Sequence, residues 1–380
     1  MTAEQFRARF PIFAHTIYVN SCSQGALSLD VRAALEAFTA SWDSHGSPWE
    51  RWVGEVDRLR ASFAVSIGAA ADEIAVMPSA SAAIAAIATA LSFDGDRRQV
   101  LLSEFEFPTM VHVWLAQRRR GAIVDRVPAH GETLPIAHYQ TRIDERTLIV
   151  PAAHVCFRNG YRLDVVALAS LCKKRGAYLM LDDYQRTGTA PLDVHALGVD
   201  FLVTGALKYL LGPAGIAFLY VRKELIERFE PLSTGWFGRV NPFAFSLDPL
   251  DWAASARRFE TGTPPVPNVY AAAAGLDLLN ALGPAAIDAQ IRRLTARMVD
   301  GARRRGFAVA TPDNPEQRGA LVVVRCTDAG ALVQRLEARG IVASARGTGL
   351  RVSFHAYNND EDVDAVLAAL EAEAALIARE

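Results

Sequence analysis

The chain has 380 residues, of which 51% are hydrophobic, and a formal net charge of -2. That is enough apolar material for a large core, and the length suggests two domains rather than one. A charge balance so near zero gives no global field toward nucleic acid or a membrane surface, and neither partner is expected.

The basic clusters at 118–120, 173–175 and 303–305 each precede a glycine, which is a helix C-terminus signature. The cysteines Cys22, Cys156, Cys172 and Cys326 lack metal-ligand spacing, and no signal-peptide pattern precedes them. A reduced, cytoplasmic setting without a metal is the expectation. The alanine-rich stretch 75–93 is interrupted by Pro78, Ser79, Ser81 and Thr89, so it reads as a buried helix, not a membrane span.

Along the chain, residues 1–20 end in the strand-like Ile17-Tyr18-Val19. A helical pattern over 30–67 is broken by a Gly/Ser/Pro interruption among Trp42, Trp49 and Trp52. From 74 onward, strand candidates alternate with helices: 74–77, 100–103, 122–127, 148–152, 178–182, 201–204 and 215–221. Continuous apolar strands in such alternation argue a mostly parallel sheet covered on both faces. The last strand follows Gly212-Pro213-Ala214 too closely for a crossover helix, so it is expected to run antiparallel. After about 265 come a long helical region (268 to about 306), a strand (320–325), a helix (329–339), a short segment (341–343), a strand (350–354) and a C-terminal helix from about Asp360. The fold class is therefore α/β. A seven-stranded sheet occupies a large domain, 20–265, and residues 1–19 with 266–380 form a smaller α+β domain.

Two residues carry the chemistry. Lys208 follows the apolar run Phe201-Leu202-Val203, and Asp182 ends the run Tyr178-Leu179-Met180-Leu181. Either alone is ordinary: exposed lysines are common, and aspartate often caps helices. Together, in this alternation, they suggest a pyridoxal phosphate site. A buried amine loses its proton readily and forms Schiff bases. A carboxylate keeps a pyridine nitrogen protonated, making the ring an electron sink. Pro78-Ser79-Ala80-Ser81 lies between a strand and a helix, where free N–H groups seat a phosphate or a serine simply caps the helix. Phe107, before Pro108, falls at the carboxyl edge of the sheet and can stack on a flat ring or pack in the core. His154, Arg158 and Asn159 reach the same edge, and Arg158 lacks an obvious local anion. Trp236 and Thr263 each carry a donor suited to a phosphate oxygen. Arg351 sits in an apolar strand and, if inward-facing, can grip a carboxylate. Gly-x-Gly-x-x-Gly after a strand, a Walker loop, His-Glu-x-x-His and Gly-x-Ser-x-Gly are all missing, which weakens dehydrogenase, NTPase, zinc-protease and α/β-hydrolase readings.

Taken together, these residues resemble the class V aminotransferase family of fold-type I pyridoxal phosphate enzymes, in its kynureninase-like and cysteine desulfurase-like branch. The resemblance runs from Tyr18-Val19-Asn20 to Arg351-Val352-Ser353-Phe354-His355-Ala356-Tyr357-Asn358. Its most specific part is Asp182-Asp183-Tyr184-Gln185, then Lys208, then Gly212-Pro213-Ala214-Gly215. It implies Lys208 as the aldimine lysine and proton shuttle, Asp182 on the pyridinium nitrogen and Gln185 as donor to the ring hydroxyl. It implies Ser79, Ala80 and Ser81 around the phosphate, Phe107 on the ring face, and Thr204 among the cofactor contacts. Trp236 and Thr263 match loops that reach the phosphate of a neighbouring subunit, implying a homodimer with its active site at the interface. Arg351 matches the holder of the substrate carboxylate, with Arg158 and His154 as further substrate contacts.

Cysteine desulfurases of this family carry a catalytic cysteine before that arginine, and the segment 343–349 has none. Leu207 stands where many members have histidine. The implied activity is cleavage of a Cβ bond in an α-amino acid, as a C–S or C–C lyase. The alternatives are an aminotransferase or epimerase, and, of another class, a non-catalytic scaffold.

Overall fold

The computed structural model describes residues 1–380. Its strands are β1 Ile17–Tyr18, β2 Ile74–Met77, β3 Gln99–Ser103, β4 Ile123–Val127, β5 Thr147–Ala153, β6 Tyr178–Asp182, β7 Phe201–Gly205, β8 Ala217–Val221, β9 Leu321–Arg325, β10 Ile341–Val342, β11 Ser344–Arg346 and β12 Gly349–Ser353. Seven of them form one sheet, in the order β2-β8-β7-β6-β5-β3-β4. All seven expected strands are present. β8 is antiparallel to both β7 and β2, and the remaining neighbours pair in parallel.

Strand sequences such as Ile74-Ala75-Val76-Met77 are apolar throughout because both faces are covered. Ile74, Leu101, Val150, Leu181 and Leu202 enter one core, while Ala75, Val100, Ile149, Met180 and Val203 enter the other. This is the period-two alternation of a doubly covered sheet. Residues 30–67 fold as two helices, Leu29–His45 and Trp49–Ser66.

A separate apolar core joins Val19 to residues between Leu294 and Ile377, around the antiparallel β11-β12-β9 sheet. β1 pairs in parallel with β10 of this smaller body, while Phe6, Phe10 and Tyr18 of the N-terminal segment enter the core of the large sheet. The long helical region expected from 268 is two helices, Val266–Leu282 and Pro284–Arg304, bent by 82°. Gly283 at φ 92° and Pro284 make the break. The sequence division at 265/266 assigns the first of these helices to the smaller domain. It packs instead on the helices 29–45 and 49–66, and gives Val269, Ala272, Ala273 and Leu276 to the core of the large sheet. No single helix is long and apolar enough to cross a membrane.

Candidate active site

Every strand of the large sheet except β8 points the same way, so the segments after β2, β3, β5, β6 and β7 emerge at one edge. Ligands of open α/β sheets sit outside that carboxyl edge. A cavity of about 350 Å³ opens there, lined by Ser79, Phe107, Asp182, Lys208 and, from more distant segments, Cys22 and Arg351.

Lys208 reaches the cavity from the turn after β7. Its Nζ lies 4.3 Å from the ring centre of Tyr184 and 5.8 Å from that of Phe107. Burial lowers its ammonium from the usual 10.5 to about 8, with the negative charge of Asp182 opposing the shift. Tyr184 comes so close because Gly205 has no side chain: a Cβ there would stand 2.1 Å from the tyrosine Oη. Asp182 is partly accessible where it lines the cavity, yet deep enough that burial raises its carboxyl above the ordinary value. The Tyr184 N–H, donated to its Oδ1 at 3.1 Å, and the charge of Lys208 work the other way.

Arg351 is only 1% exposed. It donates from Nη1 to the Phe157 carbonyl at 2.9 Å, from Nη2 to Ser23 Oγ at 2.8 Å and from Nε to Ser344 Oγ at 3.2 Å. All three partners are neutral, so the buried cation faces the cavity without an anion. Ser79 caps the helix Ala80–Ala90, its Oγ accepting from Ala82 N at 3.1 Å. The first turn of that helix, with Ala80 and Ser81, opens into the cavity.

Gln185 also lines the cavity. Its Nε2 donates to the Cys22 carbonyl at 3.1 Å, and its buried Oε1 has no partner. The amide therefore presents an acceptor, where the sequence expectation is a donor, and its orientation is held by the Cys22 carbonyl, which only the NH2 end can satisfy. Thr204 is buried behind the lining, with its Oγ1 unpartnered.

Besides Thr204, four expected site residues are not gathered in this cavity. His154 and Ala153 are adjacent at the end of β5, so they face opposite sides. Ala153 lines the cavity, while His154 Nδ1 sits 2.5 Å from the buried Asp183 Oδ1. Arg158 turns away: its Nη2 donates to the Glu104 carbonyl at 2.5 Å, and it lines an adjoining cleft with Arg126, Arg325 and Arg346. Trp236 packs among Phe237, Phe243 and Phe245, and Thr263 is exposed on its loop. Within one chain neither lines the cavity.

Three residues went unflagged by sequence reasoning. Cys22, in a turn, and Arg346, at the end of β11, come from segments remote in sequence, which no local pattern joins to the site. Glu106 is buried, with Oε1 2.5 Å from Ser103 Oγ and Oε2 unpartnered. Burial pushes its carboxyl up to about 8. A glutamate between two phenylalanines at a sheet edge was the available signal.

A family model for aminotransferase class-V matches residues 50–366. The chain belongs to the class V aminotransferase family. It is 36% identical to an uncharacterized aminotransferase, YcbU, of Bacillus subtilis, over 95% of each chain. It is 31% identical to a kynureninase of Deinococcus radiodurans, over 90% of this chain and 85% of the relative. It is 30% identical to a probable cysteine desulfurase of Mycobacterium leprae, over 82% and 79%. Its fold is that of a cysteine desulfurase from Thermococcus onnurineus, with a TM-score of 0.89, 22% identity and 98% of each chain covered. As a class V protein it is a pyridoxal phosphate-dependent enzyme of fold type I, which sets aside the non-catalytic scaffold.

The cavity fits the cofactor on its own observations. It offers a carboxyl whose charge is disfavoured until a cation arrives, an amine easily deprotonated, a capped helix start, and an unpartnered polar atom on Gln185.

Proposed function

We infer that this enzyme acts on an α-amino acid in the cavity around Lys208 and cleaves a bond at Cβ after the Cα proton is removed. The observation that carries this reading is one cavity holding both an amine that titrates at about 8 and a buried guanidinium without an anion. When bound, pyridoxal phosphate supplies an aldehyde that takes up an amine and a ring that draws electron density from Cα. Lys208 is the residue for covalent attachment, Asp182 for the ring nitrogen, Phe107 for the ring face and Gln185 for the ring's polar substituent. Ser79, Ala80 and Ser81 are the phosphate seat. Arg351 receives the substrate carboxylate with two parallel hydrogen bonds and so fixes which Cα bond faces Lys208. The Lys208 amine, about half neutral near pH 8, takes the Cα proton at Nζ. The rings of Tyr184 and Phe107 flank that nitrogen.

Similarity to kynureninases and to a probable cysteine desulfurase favours the Cβ outcome. A persulfide route is not proposed, because the β11–β12 hairpin carries Arg346, Gly347 and Thr348 at its tip and no cysteine. The 36% identity to a protein named an aminotransferase supports amino-group transfer as the second reading. The reading extends to a homodimer in which Trp236 and Thr263 of each subunit reach the other's phosphate seat. It is supported by exposed apolar residues on the same loop, including Leu232, Phe245 and Leu247.

The test is an amino-acid screen of the purified holoenzyme, assaying alanine, sulfide, ammonia and 2-oxo acids. A fragment lost from Cβ without a second substrate supports the lyase. Products formed only when a 2-oxo acid is added would overturn it in favour of transfer. Arg351→Ala is expected to weaken amino-acid binding at least ~10-fold. Unchanged affinity for every amino acid would refute the carboxylate role.

A further inference from the structure

A second group of cations lies away from this cavity, where the large sheet body meets the smaller domain. A narrow void of about 20 Å³ is lined there by Arg162 and Arg186 from one body and Arg292 and Arg318 from the other. The single carboxylate on its wall is Asp288. Arg292 is neutralised, with Nε 3.0 Å from Asp288 Oδ2 and Nη1 2.7 Å from Glu316 Oε1. Arg162 also leans on Glu316, donating from Nε to its carbonyl at 2.8 Å and from Nη2 to Oε2 at 3.1 Å.

Arg186 and Arg318 have no such partner. The side chain of Arg186 makes one hydrogen bond, Nη1 to Thr189 Oγ1 at 3.0 Å, and its Nε is buried without an acceptor. The Nε and Nη1 of Arg318 are both buried without an acceptor. Burial disfavours the charge of both guanidinium groups and neighbouring arginines add to it, while Asp183 and Asp288 near Arg186 and Asp300 and Asp313 near Arg318 offset only part of the effect. A buried N–H without an acceptor is rare, and three such nitrogens on two arginines that line one void call for an occupant. Water satisfies the N–H groups but adds no charge, and the carboxylates near Arg186 and Arg318 form no direct ion pair with either. An anion satisfies both needs. The void holds about one water-sized body, which excludes organic anions and suits a monatomic one.

We propose that this void binds a small inorganic anion of chloride size, bridging Arg186 of the large body and Arg318 of the smaller one. Arg186 directly follows Gln185 in the segment that begins at Asp182. Occupancy therefore ties the cofactor-side segment to the smaller domain. This site does not depend on which reaction the enzyme performs.

The experiment compares thermal unfolding of the holoenzyme in sodium chloride and in sodium gluconate at equal ionic strength, gluconate being too large for the void. Chloride is expected to raise the midpoint saturably by roughly 2 °C, and Arg318→Gln to abolish the rise. Wild-type crystals grown in sodium bromide are expected to show an anomalous peak within hydrogen-bond reach of Arg186 Nε and Arg318 Nη1. Equal midpoints in the two salts, a full chloride response in Arg318→Gln, or a bromide map without that peak each overturn the proposal. Should Arg318→Gln fail to fold, the bromide map decides.

Discussion

An amine whose charged form is disfavoured by burial makes folding depend on pH. Lys208 titrates at about 8 in the folded protein against 10.5 for a free side chain. Between those values the unfolded chain binds more protons, so the stability of the cofactor-free protein rises with pH across that window. Below pH 8 the full penalty of the buried charge is present. Glu106 acts in the opposite sense. Its folded value of about 8 lies above the ordinary 4.5, so the folded protein binds the extra proton and stability falls as pH rises between them. Urea midpoints of the cofactor-free protein, measured from pH 5 to 10, check both. Lys208→Met is expected to flatten the upper rise and Glu106→Gln the lower fall. A Lys208→Met variant that keeps the wild-type slope above pH 8 would show that its amine is solvated.

At the scale of elements, the meeting of β6 and β7 decides where Lys208 points. Tyr184 leaves the end of β6 and lies against Gly205 at the end of β7, with its ring under the lysine nitrogen. A methyl at Gly205 has no room, because the atoms it meets belong to a tyrosine ring and not to a flexible chain end. Gly205→Ala is expected to destabilise the protein by about 1–3 kcal/mol and to weaken cofactor retention, read from denaturant midpoints and the visible band. An unchanged band with an unchanged midpoint would mean the ring moves aside freely.

The strands that build this edge were legible because burial on both faces writes unbroken apolar runs, and the order of Asp182 and Lys208 followed from them. Facing was harder to read. His154 and Asp183 stand one residue beyond cavity-lining neighbours and therefore point the other way, where they pair with each other. The helix break is written in Gly283-Pro284, a left-handed glycine followed by a helix-starting proline. Cys22 and Arg346 were out of reach, because only tertiary structure brings residue 22 and the β11–β12 hairpin to the same cavity.

For the whole molecule, the loop 232–250 is the outstanding surface. Leu247 is 93% exposed, Phe245 72% and Leu232 69%, clustered in sequence with Val240 and Leu250. Scattered apolar residues are normal on a surface, but a run of this kind marks an interface. The same loop carries Trp236, which a single chain keeps away from its own cavity. Both facts are accounted for if a second copy covers the loop, and a stable dimer of this kind buries about 800 Å² on each partner. Leu247→Glu sets a charge where the partner would pack. It is expected to shift the protein to monomer in light scattering and to loosen cofactor binding at least ~10-fold, because the phosphate loses its contacts across the interface. A variant that stays dimeric moves the interface elsewhere. A monomer that holds cofactor as tightly as the parent removes Trp236 and Thr263 from the phosphate seat and leaves the site complete within one chain.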